Sequence, residues 1–253
     1  MKIAVCIKQV VTREWQVRVN DDKTWVRDAD ASWELNEPDA YALEEGLRLK
    51  EKHGGEVVVI SAGPSRATQV IREALARGAD RAIHVEGDQF ATADAFVVAD
   101  ALASALKDES VDLVLTGLQS DDQGFAQVGV LLAEKLGIAH STIIMEVQVD
   151  GATLKVKREL EGGWFQWISM PLPAAITIQS GINQLRYATL KGIMAAKKKE
   201  IKVVAAPSGA AAKQRIASIY LPQKSKQTRM ITGSPSEAAK ELARVLREDA
   251  RVF

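Results

Sequence analysis

The chain has 253 residues with 33 basic and 33 acidic side chains, and it is 47% hydrophobic but only 5% aromatic. The balanced charge argues against a nucleic-acid partner, which needs a basic face or stripe, while the length suits one large α/β domain with an appendage. The single Cys6 cannot form an internal disulfide, no apolar run approaches a membrane span, and the first residues begin a strand without an arginine-rich presequence or apolar signal region, so a cytoplasmic protein without membrane insertion is expected.

Residues 2–7 read as a buried strand in which Cys6 is a small hydrophobe. Residues 15–19 and 24–27 alternate apolar with polar around a turn at 20–23, which predicts a hairpin beside the core. Asn36 precedes Glu37, Pro38, Asp39 and the periodic Tyr41, Ala42, Leu43, Leu47 and Leu49. That pattern predicts a helix with Asn36 as N-cap, Asp39 at the reciprocal capping position and proline harmless in the first turn. A second strand over 56–61 ends at Ala62 and Gly63, and Ser65 starts a helix that Gly78 ends. A third strand over 81–85 leads through Thr92 to a helix over 95–107.

Next, an apolar run from Val111 to Gly117 opens into the polar loop 118–124, and a helix follows from Phe125 to its cap at Gly137. The strand–helix alternation predicts an α/β fold with a parallel, right-handed, Rossmann-like sheet. The strand ends at Cys6 and Ile7, at Ala62 and Gly63, and at Gly117 then share one edge, so loops distant in sequence wall one cleft. Ligands of such sheets sit beyond the carboxyl ends of strands, and free amides at a helix start attract phosphate. The Gly117 loop is therefore the first candidate for a nucleotide. On spacing alone Asp121 and Asp122 read rather as an exposed turn before a helix start favoured by acids, since no GxGxxG or Walker pattern is present.

From Ser141 the pattern changes. Residues 143–149, 153–158, 164–168 and 173–178, separated by turns at Asp150 and Gly151 and at 161–163, predict antiparallel additions to the sheet. Residues 181–199 mix apolar side chains with cations. A lysine run is usually a solvated helix face, and Leu190, Ile193 and Met194 are usually core. Yet Leu190 between a threonine and a lysine, near Lys197, Lys198 and Lys199, is also the mixture of an apolar anchor in a charged docking site. Residues 207–212 read as a linker and 213–233 lack periodicity. Ser234 and Glu237 then form a capping box before a last helix with Ala238, Leu242, Val245 and Leu246 on one face.

Val156-Lys157-Arg158-Glu159-Leu160-Glu161-Gly162-Gly163, followed by Pro173-Ala174-Ala175-Ile176-Thr177, closely resembles the signature of the electron-transfer flavoprotein β-subunit. Asn183-Gln184-Leu185-Arg186-Tyr187-Ala188-Thr189-Leu190 is similar to that family's partner-recognition loop. The likeness extends to Val5-Cys6-Ile7-Lys8, Leu35-Asn36-Glu37-Pro38, Leu43-Glu44-Glu45, Gly78-Ala79-Asp80-Arg81 and the loop from Gly117 to Gly129, and so covers nearly the whole chain.

The resemblance implies an electron carrier, not an enzyme: a heterodimer with an α-subunit that holds most of one FAD and moves electrons from flavin-containing dehydrogenases to a quinone oxidoreductase or similar acceptor. It also implies a structural AMP in this chain, lined by Cys6, Asn36, Glu37, Pro38, Asp39, Ala62, Gly117, Gln119, Ser120, Asp121, Asp122, Gln123, Gln127 and Val128. Recognition falls to Arg186, Tyr187, Leu190, Ile193, Met194, Lys197, Lys198 and Lys199. The division implied is a nucleotide-binding domain over 1–205, including the recognition loop 183–199, and a linker and arm over 206–253 that packs on the partner. AMP-binding members often carry asparagine and threonine where this chain has Ala126 and Val128.

Three alternatives stand beside this reading. A bifurcating branch places a second FAD in the same cleft and takes NADH as donor; its Gln-Val-Gly run resembles Gln127-Val128-Gly129, but its flanking pattern is absent here, so AMP is favoured. A stand-alone adenine-nucleotide sensor would leave Leu190 and the tail unexplained. A metal-dependent hydrolase on Asp121 and Asp122 lacks further acidic ligands at supportive spacing, and His53, His84 and His140 are scattered.

Overall fold

Short aliphatic runs buried on both faces become the parallel strands, and amphipathic segments between them become the covering helices. This computed structural model describes residues 1–207, 209–222 and 228–252. In chain order the elements are β1 (Lys2–Cys6), β2 (Gln9–Val11), β3 (Trp33–Leu35), α1 (Glu37–His53), β4 (Glu56–Gly63), α2 (Thr68–Arg77), β5 (Arg81–Glu86), α3 (Ala95–Leu106), β6 (Leu113–Gly117), α4 (Val128–Leu136), β7 (Ala139–Asp150), β8 (Thr153–Glu159), β9 (Phe165–Pro171), β10 (Ala174–Ile178), α5 (Leu190–Ala196), β11 (Ile201–Ala205) and α6 (Pro235–Arg244).

Nine strands form one sheet in the order β11-β5-β4-β1-β6-β10-β7-β8-β9. Strands β11 to β10 run parallel, and β8 and β9 add antiparallel. Val5, Val59 and Leu115 pack with Leu43 of α1 and Ile71 of α2 on one face. Ala4, Ile60 and Val114 pack with Leu102 of α3 and Leu132 of α4 on the other. The chain builds outward from β1 through β4 and β5, then crosses back to place β6 on its opposite side. That reversal opens a crevice beyond the carboxyl ends of β1 and β6. The expected Rossmann-like architecture with antiparallel additions is present.

Several local expectations are corrected. The predicted hairpin over 15–27 is a single bridge between Val19 and Val26, because Asn20 Oδ1 takes the Thr24 and Trp25 amides and closes the turn locally. The strand nearest that region instead pairs β2 with β3. Asn36 makes no capping hydrogen bond, so the capping role expected of Asn36 and Asp39 is absent; both side chains reach across the fold. A 3₁₀ turn over Ser65–Ala67 precedes α2, and the first helical turn of α4 is Val128 rather than Phe125. Strand β10, expected as an antiparallel addition, lies parallel between β6 and β7. Strand β7 pairs parallel with β10 over its first half and antiparallel with β8 over its second. Strand β11 was not foreseen: its five residues carry one lysine among apolar side chains and follow a lysine run and Glu200.

The chain divides into two compact units, Met1–Ile219 and Tyr220–Phe253. Residues 206–219 belong to the first, since Asp94 accepts the amides of Lys213 at 2.5 Å and Gln214 at 2.9 Å. Within the second, α6 opens with the predicted capping box, Ser234 and Glu237 satisfying each other's backbone amides. Arg229 and Arg244 both pair with Glu241 there. Ser208 of the predicted linker and 223–227 of the aperiodic stretch lie outside the described residues.

Candidate functional site

The carboxyl ends of β1, β4 and β6 bring Cys6, Ala62 and Gly117 to one cleft, as the strand order predicts. Counting the open solvent at its mouth, the cleft spans about 810 Å³. One wall is apolar: Phe90, Ala93, Val98 and Leu102, from α3 and the turn before it. The opposite wall is the loop from Leu118 through Gly129.

Buried polar groups at the start of α1 hold that loop. Asn36, 1% exposed, donates from Nδ2 to the Gln119 carbonyl at 3.0 Å and accepts the Asp121 amide at 2.9 Å. Asp39 accepts the Lys8 amide at 2.8 Å and the Gly117 amide at 2.9 Å, tying β1, α1 and β6 together. Burial raises the Asp39 carboxyl to about 7 despite these two amides. Burial, reinforced by nearby Asp39, also pushes the Cys6 thiol well above its ordinary range, so it is a packed hydrophobe and not a nucleophile. Only glycine fits at 117, since a Cβ there would stand 2.4 Å from Asp39 Oδ1 and 2.8 Å from the Asp39 amide.

The two loop carboxylates do not point at one another. Lys8 Nζ meets Asp122 Oδ1 at 2.7 Å, Ser120 Oγ at 3.3 Å and Gln123 Oε1 at 3.0 Å. Arg13 pairs with Asp121 at 3.3 Å and also with Glu37. Each acid is therefore compensated, which answers the repulsion two aspartates beside a phosphate would exert. Beyond the loop, Gln127 makes no side-chain cap on α4, leaving its first-turn amides toward the cleft. Ala126 sets this approach with φ +54°, a left-handed conformation that L-residues other than asparagine seldom adopt.

A second surface lies on the α1 and α2 side. Thr189 caps α5 by accepting the Gly192 amide at 3.0 Å. Gly192 lets α5 sit directly against α2, because a Cβ there would fall 2.3 Å from the Ala76 carbonyl oxygen. Ala196 is buried, while Tyr187, Leu190, Ile193 and Met194 are exposed by 88, 75, 45 and 64%. Four large apolar side chains exposed within eight residues are uncommon on a surface with no partner.

A family model, the Electron transfer flavoprotein domain, matches residues 24–208. "Electron transfer flavoprotein subunit beta" of Methylophilus methylotrophus is 37% identical over 98% of both chains. The protein of the same name from Syntrophomonas wolfei is 38% identical over 100% of this chain and 98% of its own. The human one is 39% identical over 81% of each. The chain belongs to the electron-transfer flavoprotein β-subunit family.

An electron-transfer flavoprotein β-subunit belongs to an electron carrier rather than to a classical enzyme. No described helix is long and apolar enough to cross a membrane. Of the residues expected at the nucleotide, Cys6, Asn36, Asp39, Ala62, Gly117, Gln119, Ser120, Gln123, Gln127 and Val128 line the cleft. Glu37, Pro38, Asp121 and Asp122 do not; Pro38 stands against Gly117, Glu37 and Asp121 pair with Arg13, and Asp122 pairs with Lys8. Of the recognition residues, Lys197 and Lys198 are exposed. Lys199 instead donates to the Leu75 and Ala79 carbonyls near the end of α2, and its burial lowers its pKa. Arg186 is turned onto α1. Sequence reasoning missed Lys8 and the Phe90 wall, although the strand over 81–85 runs toward the same edge.

Proposed function

We propose that the chain pairs with an α-subunit that holds most of one FAD, and that the heterodimer accepts electrons from flavin-containing dehydrogenases and passes them to a quinone oxidoreductase or similar acceptor. The chemistry supplied by FAD is electron transfer; this chain's residues hold a nucleotide and present a docking surface. The observation that carries the reading is the combination of a cleft at the strand reversal with the exposed apolar side chains of Tyr187, Leu190, Ile193 and Met194 around α5.

The cleft fits AMP. Its apolar Phe90 wall suits a base, and the uncapped start of α4 suits a phosphate through backbone amides. Lys8 is the one cation among the described lining residues. With Ala126 and Val128 in place of polar side chains, backbone amides and Lys8 carry the anionic end. Leu190 is the apolar anchor for a redox partner, flanked by Tyr187, Ile193 and Met194, with Lys197 and Lys198 supplying charge. The arm is the second unit, Tyr220–Phe253, and its amphipathic helix α6, with Leu242 exposed, packs on the α-subunit.

The test is to co-express the chain with its α-subunit, denature the purified heterodimer and quantify released nucleotides by chromatography. One FAD and one AMP support the reading. Two FAD without AMP overturn it in favour of the bifurcating branch, and purification of the chain alone with bound nucleotide favours the sensor.

A further inference from the structure

Residues 179–189 have no regular structure, yet one face of α1 holds them closely. Tyr41, Glu44, Glu45, Arg48 and Glu51 recur at helical spacing and all engage this segment or one another. Asn183 Nδ2 donates to the Tyr41 carbonyl at 3.2 Å and to Glu45 Oε2 at 3.0 Å. Arg186 makes a paired fork on Glu44, Nε to Oε2 at 2.7 Å and Nη2 to Oε1 at 3.1 Å, while Nη1 reaches Glu51 at 2.5 Å. Arg48 Nε donates to the same Glu44 at 3.0 Å.

Glu44 is 3% exposed. Burial alone would raise its carboxyl, but the hydrogen bonds from Arg186 and Arg48 outweigh burial and hold it below the usual value. It is thus an ionised, fully engaged acceptor under the docking segment. Paired arginine–carboxylate forks fix direction as well as distance.

We infer that Glu44 is a positioning residue for docking: through Arg186 it fixes the angle at which Leu190 meets a redox partner. This deepens the docking reading above and rests on it. Arg186 stands four residues before Leu190, so slack at the fork becomes slack at the anchor. The other side of α5 is fixed separately, by Gly192 against Ala76 and by Arg72 Nη1 donating to the Ala196 carbonyl at 2.6 Å. Loosening Glu44 frees the exposed end of α5 while leaving its seat on α2 intact. Preorganisation of this kind raises affinity without adding a contact.

The test is Glu44→Gln in the α–β heterodimer, with a flavin dehydrogenase that reduces the wild type as electron donor. The amide keeps the shape but turns a donor toward the guanidinium. The expected result is an about tenfold higher dehydrogenase concentration at half-maximal rate, with the maximal rate, flavin content and released nucleotide unchanged. Combined with Leu190→Ala, Glu44→Gln should add less than about twofold, because both act on one contact. Arg186→Lys, which keeps the charge and loses the fork, should give the same pattern and carries the test if the first variant does not assemble. If Leu190→Ala weakens docking and both clamp variants leave it unchanged, or if their effects simply multiply, the positioning role is overturned and the docking reading stands. If Leu190→Ala itself has no effect, the docking reading fails and the inference falls with it.

Discussion

The cleft and the docking segment solve opposite problems with the same helix. At its start, α1 buries Asn36 and Asp39 so that a polar loop can stand open around a ligand. About a turn and a half later it buries Glu44 and Glu45 so that an apolar segment can stand open to a partner. In each case the exposed, functional part is the weakly structured one, and the specificity of its placement comes from polar side chains buried on α1 or at its start. A buried hydrogen-bonded group is directional where hydrophobic contact is not, which suits it to holding a loop at one angle.

The largest expected effect tests whether the cleft depends on backbone contact. Gly117→Val places branched carbon atoms against the Asp39 carboxylate and the start of α1. Overpacking of about 1–3 kcal/mol or more, together with loss of the Asp39 bond, should abolish nucleotide retention and lower the melting temperature by several degrees; retained nucleotide at wild-type stability would refute the close-packing account. Next, Leu190→Ala should weaken dehydrogenase docking by about 30-fold, corresponding to about 2 kcal/mol at a central apolar anchor. Stopped-flow reduction measures this, and the nucleotide content should not change.

Asn36→Ala sharpens the contrast from the other side. It strands the Gln119 carbonyl and Asp121 amide, a loss of about 1–2 kcal/mol, and should speed nucleotide dissociation about tenfold without altering docking kinetics; an equal effect on both would mean that the two ends of α1 do not act separately. The smallest effect is on pH. A carboxyl whose folded pKa is raised binds protons more tightly in the native chain. Stability from Asp39 is therefore full below its unfolded value of 3.8 and declines as pH rises through about 7. Between about pH 6 and 8 the native state should lose about 1 kcal/mol, read from denaturant midpoints of the heterodimer. A flat profile, or a rise, would show that the Lys8 and Gly117 amides keep Asp39 ionised.

Much of this was legible in the sequence because it is local or periodic. The aliphatic strands, Gly137 in its left-handed cap and the Ser234–Glu237 capping box each depend on residues within a few positions of one another. Asn36 and Asp39 were located but misassigned: their types suit a helix cap, and nothing nearby indicates that strand β6 will arrive to compete for them. The Leu190 segment showed as exposed apolar residues among cations, yet the same composition hid β11 and made Lys199 look like a docking charge. Lys8 was passed over because its partners lie over a hundred residues away. The pattern is consistent: short-range preferences predict elements, whereas the wiring of buried polar atoms depends on a topology that single residues do not encode.

The connection from β10 to β11 carries a consequence for the order of assembly. Its ends enter the sheet five strand positions apart, with β6, β1, β4 and β5 between them, a span of about 24 Å at the usual strand spacing. Residues 179–200 cross that distance as a strap that includes α5, and β11 fastens its far end by pairing with β5. A ribosome-bound chain released only as far as α5 would have the α1 clamp and the α2 seat but no fastening, so the strap's closing entropy is met only when β11 emerges. The docking surface is thus completed only once β11 pairs with β5, after every other strand of the sheet has been made.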